Sequence, residues 1–85
     1  MNECFLCGAP ATETHHIFGG AMRKKSDKYG LTVRLCHSCH NEPPNGAHHN
    51  KETMDYLHRW GQEKAMAENN WTIDDFRREF YKNYL

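Results

Sequence analysis

Two Cys-x-x-Cys pairs, Cys4/Cys7 and Cys36/Cys39, bracket a double histidine, His15-His16, and the second pair runs directly into His40. Two residues between cysteines let both sulfurs reach one tetrahedral ion, and two such knuckles supply the four ligands of a zinc site. A zinc ion held by four thiolates has no open coordination position, so it stabilises a fold and performs no reaction. Cys4, Cys7, Cys36 and Cys39 therefore read as a structural zinc site. The histidines are surplus to it, and the chemistry is to be sought among them.

A zinc tie between the knuckles draws the segments that leave them into one small region. His15-His16 follows one knuckle and His40 the other, so they can converge on a second metal. Neutral imidazole is a good ligand for divalent transition metals, and an imidazole near neutral pH can also take a proton. A site with few protein ligands keeps positions open for water and phosphate, the arrangement used in metal-assisted phosphodiester hydrolysis.

The elements that must hold these residues follow from pattern. Thr14 to Phe18 reads as a short strand ended by Gly19-Gly20, and Leu31 to Leu35 alternates apolar and polar residues as a half-buried strand. Between them, Arg23, Lys24, Lys25 and Lys28 form a basic loop or helical turn, with Arg34 soon after. Pro43, Pro44 and Gly46 prevent the second knuckle from continuing as a helix. Beyond Asn50, a plausible N-cap, Met54, Leu57, Gly61, Lys64 and Ala65 form one helical stripe beside Tyr56 and Trp60, and Asn69-Asn70 ends it. A last helix opens with Thr72 as N-cap and Asp75 as its capping-box partner, with Trp71 and Phe76 placed for a hydrophobic staple. Ile73, Phe76, Phe80 and Tyr84 make its apolar stripe, and these aromatics read as core rather than as a base-stacking platform.

With 85 residues the chain is a single domain of the size at which small folds recruit a metal. Its opening, Met1-Asn2-Glu3-Cys4, contains no apolar run, so neither a secretory signal nor a membrane span is expected, and the expected location is cytoplasmic. A reducing compartment favours metal over disulfides for the four cysteines. The net charge of zero does not advertise a nucleic-acid binder, but the local cluster from Arg23 to Arg34 is a candidate phosphate contact.

His15-His16-Ile17 followed by Leu35-Cys36-His37-Ser38-Cys39-His40-Asn41 resembles the HNH endonuclease family in its zinc-knuckle form. Phe18-Gly19-Gly20, Tyr29-Gly30-Leu31-Thr32-Val33 and Asn83-Tyr84-Leu85 are most similar to small HNH-type proteins encoded by bacteriophages. The resemblance implies a small α+β zinc-stapled domain. Residues 1–49 would form the ββα-metal core, two antiparallel strands and a helix gripping one divalent cation, and residues 50–85 two C-terminal helices packed on the same domain. By resemblance, His16 is the general base, His15 and His40 bind the catalytic ion (Mg²⁺, Mn²⁺, Ni²⁺ or Zn²⁺), and the substrate is DNA, cut to leave a 5′ phosphate and a 3′ hydroxyl. For a phage-encoded protein the setting would be the host bacterial cytoplasm. A phage packaging or replication partner is the further partner this implies.

The chain departs from the family pattern at two places. The asparagine that fixes the loop between the strands is replaced by Leu31, and a third ligand one helical turn past the Cys-His step is replaced by Pro44. His48, with His49 as the alternative, is the expected substitute ligand. Neighbouring side chains on a regular strand point to opposite faces, so His15 and His16 can share a site only at a strand edge or through irregular backbone. The expected function is a metal-dependent HNH endonuclease acting on DNA. The alternative is a catalytically degenerate, zinc-stapled nucleic-acid-binding or phage assembly and packaging accessory protein.

Overall fold

The computed structural model describes residues 3–44 and 46–85. Strand β1 (Glu13–His16) pairs antiparallel with β2 (Thr32–Leu35), in the register Glu13 to Leu35, Thr14 to Arg34, His15 to Val33 and His16 to Thr32. The alternation expected in β2 is present: Leu31, Val33 and Leu35 are buried while Arg34 is exposed. β1 stops at His16, earlier than the expected strand, because Ile17 and Phe18 turn inward to become core.

The basic segment is more ordered than a loop. A 3₁₀ turn (Gly20–Met22) leads into helix α1 (Arg23–Lys28), and Gly30, at φ +70°, takes the left-handed turn that returns the chain to β2. Ser26 ties the segment between the strands to Phe18. It is fully buried, its Oγ accepts from the Phe18 amide at 2.9 Å and donates to the Phe18 carbonyl at 2.8 Å. The inter-strand loop is thereby pinned from within. Leu31 serves as core, its own carbonyl accepting from the Ile17 amide at 3.0 Å.

Helix α2 (His37–Asn41) begins at the second knuckle, with Cys36 as its N-cap. It ends before Pro43-Pro44, as expected; Asn45 lies outside the described residues, as do Met1 and Asn2. A 3₁₀ turn (Ala47–His49) then leads to helix α3 (Lys51–Asn69). Asn50 caps it through Oδ1, which accepts from the Thr53 amide at 3.0 Å, and Asn70 closes it at φ +56°. Helix α4 (Ile73–Phe80) carries the full capping box between Thr72 and Asp75.

The core joins both halves of the chain. Ile17, Phe18, Leu31, Val33 and Leu35 from the strand region pack with Leu57 and Ala65 of α3 and with Phe76 and Phe80 of α4. Gly61 allows the close approach of α3, since a Cβ there would lie 2.5 Å from Ile17 Cγ2. Of the stripe expected on the last helix, two positions differ. Ile73 is largely exposed, and Tyr84 lies beyond α4, packing on the Phe18 ring at 5.1 Å. Trp71 packs edge-on against Tyr29 at 4.9 Å. Gln62, which periodicity placed off the stripe, is buried and binds the C-terminal segment, donating to Asn83 Oδ1 at 2.7 Å and accepting from the Tyr84 amide at 2.6 Å.

Candidate metal centres

The four cysteines meet as their spacing requires. The ligand atoms of Cys4, Cys7, Cys36 and Cys39 all lie within 4.8 Å of one another, and none is in a disulfide. Backbone hydrogen bonds shape the first knuckle, with the Cys4 amide donating to the Ala9 carbonyl at 2.6 Å and the Gly8 amide to the Cys4 carbonyl at 2.9 Å. The Phe5 amide docks that knuckle on β2 through the Arg34 carbonyl at 2.8 Å. In the second knuckle the Cys39 amide donates to Cys36 Sγ at 3.4 Å.

Burial resists ionisation of Cys4, yet backbone N–H groups of Cys36, Cys7 and Leu6 outweigh it and bring the thiol down to about 6. Burial and the neighbouring sulfurs push Cys39 the other way. One sulfur is primed as an anion, and its charge opposes ionisation of the next. Four thiolates can share this volume only around a cation. The cluster could hold a structural metal such as zinc.

A second group assembles from three separate elements. His15 of β1, His40 of α2 and His48 of the 3₁₀ turn place ring nitrogens within 4.8 Å of one another. The Nε2 atoms of His40 and His48 are 3.0 Å apart, and the His15 ring lies 5.1 Å from each of the other two rings. His15 is 2% exposed, and its Nε2 is the one buried side-chain polar atom without a partner among the described residues. A buried polar atom without a partner costs free energy unless something not yet counted binds it. Burial, with His40 and His48 close by, pushes the His15 imidazole down to about 4, and burial lowers His48 as well. Three imidazoles whose ring nitrogens lie this close could hold a metal ion. His48 thus joins the group expected from sequence; His49 is exposed on the neighbouring cleft and stays outside it.

No family model, curated protein or solved structure matches this chain. Its chemistry has to be read from the geometry.

His15 and His16 are neighbours at the end of β1, and both line one cleft of about 300 Å³. His40, His48 and Arg23 line it too, and Gly19 and Gly20 leave its mouth free of side chains. His16 is held on its own side by α1, with Nε2 2.8 Å from Asp27 Oδ1.

The basic residues divide. Arg23 faces the cleft, and Lys24 is exposed. Lys25 reaches across to α4. Its Nζ donates to the Glu79 carbonyl at 2.6 Å, at the end of α4, and lies over the Tyr81 ring. Lys28 sits over Tyr29, and Arg34 donates to Thr14 Oγ1 at 2.6 Å on the outer face of the sheet. Sequence reasoning missed Glu13, Ser26 and Asp27, which carry no spacing signal of their own.

Proposed function

We propose that the protein is a metal-dependent endonuclease of the HNH type that hydrolyses phosphodiester bonds in DNA. The observation that carries this reading is the unpartnered Nε2 of buried His15, on a ring grouped with those of His40 and His48 in a cleft that His16 also lines. His15, His40 and His48 would hold the divalent cation, which when bound supplies Lewis acidity to a phosphoryl oxygen.

His16 stands apart from that trio and is free to work as a base. A carboxylate can only accept, so Asp27 fixes the proton on His16 Nε2 and leaves Nδ1 to take a proton from water. Arg23, on the rim of the same cleft, offers a fixed positive charge to the phosphate being attacked. The cysteine site keeps β1, β2 and α2 in register and takes no part in the reaction. Phage origin, and a packaging or replication partner, belong to the same proposal through the resemblance of the sequence.

Purified protein with Mg²⁺ or Mn²⁺ should nick supercoiled plasmid, and mild chelation should stop it while leaving the cysteine-bound zinc in place. His16→Ala should remove cutting with zinc content and DNA binding retained. Wild-type protein that binds DNA but cuts nothing with Mg²⁺, Mn²⁺, Ni²⁺ or Zn²⁺ would overturn the enzyme reading in favour of a binding module.

A further inference from the structure

We infer that Glu13 is the positioning residue of the histidine site, fixing the His40 ring so that its Nε2 faces the other two ligands. The inference rests on His15, His40 and His48 forming a metal site, as in the function proposed above, and needs no cutting activity.

Strand periodicity places Glu13 and His15 on one face of β1, and α2 packs against that strand. Glu13 there collects three donors from α2. Its Oε1 accepts from His40 Nδ1 at 2.6 Å and from Asn41 Nδ2 at 2.8 Å, and its Oε2 accepts from His37 Nδ1 at 2.8 Å. A carboxylate has no proton to give, so His40 must carry its proton on Nδ1, and the lone pair is left on Nε2. That Nε2 is the atom 3.0 Å from His48 Nε2. Ligating histidines owe both tautomer and ring orientation to such partners. Among the described residues, Glu13 is the one carboxylate bonded to a member of the trio.

A purely structural role, tying β1 to α2, makes a different prediction, because His37 and Asn41 share that tie without facing the cleft. Protein carrying one tight zinc per chain would be titrated with Co²⁺, following its visible absorption and the heat of binding. Wild type should take up a second ion. Glu13→Gln keeps the shape and loses the charge, and should weaken the second ion by about 10–100-fold with zinc and circular dichroism unchanged. Glu13→Ala should weaken it at least as much; if that variant fails to fold, Glu13→Gln decides. His37→Ala and Asn41→Ala should bind the second ion as wild type does. Unchanged affinity in Glu13→Gln, equal losses in His37→Ala, or no second ion in wild type would each overturn the inference. Wild type that binds the second ion but nicks no plasmid would sink the nuclease reading alone, leaving Glu13 to be judged on the affinities.

Discussion

Asp27 Oδ1 lies 2.8 Å from His16 Nε2, joining the end of β1 to the last turns of α1 across the loop that separates the strands. The pair fixes a tautomer on a ring that lines the cleft, and it does so from a helix pinned to the loop by Ser26. Asp27→Ala should therefore lose part of the ~10²–10⁴ that a positioned base contributes to rate. Zinc content and DNA affinity should stay as they were. Plasmid nicking under single-turnover conditions checks this, and an unaltered rate would remove Asp27 from the mechanism.

Cys36→Ser should unfold the domain. Cys36 supplies one of four clustered sulfurs and also caps α2, and metal binding provides much of the folding free energy of small zinc folds. Elemental analysis and far-ultraviolet circular dichroism should show zinc and helix lost together. A folded, zinc-free variant would refute the structural assignment.

Arg23 and Lys25 should separate cleanly. Arg23→Ala should lower the slope of log affinity against log salt by about 0.9 for duplex DNA, the signature of one lost phosphate contact. Lys25→Ala should leave the slope alone and lower thermal stability, because its ammonium binds the Glu79 carbonyl. The reverse result would show that α1 is turned the other way toward nucleic acid.

Gly61→Ala should destabilise the fold although alanine is the better helix former. The added Cβ would meet Ile17 Cγ2 at 2.5 Å and Phe18 Cε2 at 3.2 Å, and overpacking of this kind typically costs about 1–3 kcal/mol. Urea denaturation should show a lower midpoint with the slope unchanged.

His58 should make stability fall in mild acid. Burial lowers its pKa; Asp55 and the Ile17 carbonyl oppose the shift, and Lys82 adds to it. The native ring, stacked on Phe18 at 5.4 Å and touching Tyr84 at 4.5 Å, thus stays neutral at a pH where the unfolded chain already binds a proton. Its contribution is present above the unfolded value of about 6.5 and is lost as pH falls through the native value. Comparing wild type with His58→Gln by denaturation at pH 7.5 and pH 5.5 should show the smaller acid loss in the variant.

What the amino-acid order determined by itself was local. Two residues between cysteines bring paired sulfurs together, Asn50 and Thr72 reach amides three residues on, and alternation from Leu31 to Leu35 selects the buried face. Each of these depends on geometry that repeats within one turn or one pleat, so it is legible without the rest of the chain. The convergence of His15 with His40 and His48 could be expected, but only because the cysteine ties had already brought their segments together. The partners that orient and pin the site were decided by tertiary structure alone. Glu13 reaches His40 across 27 positions, Asp27 reaches His16 across 11, and Lys25 reaches Glu79 across 54. The bonds of Ser26 to Phe18 belong with them. A single hydrogen bond between side chains on different elements leaves no periodic trace in a sequence, because it requires only that packing place one donor and one acceptor about 3 Å apart.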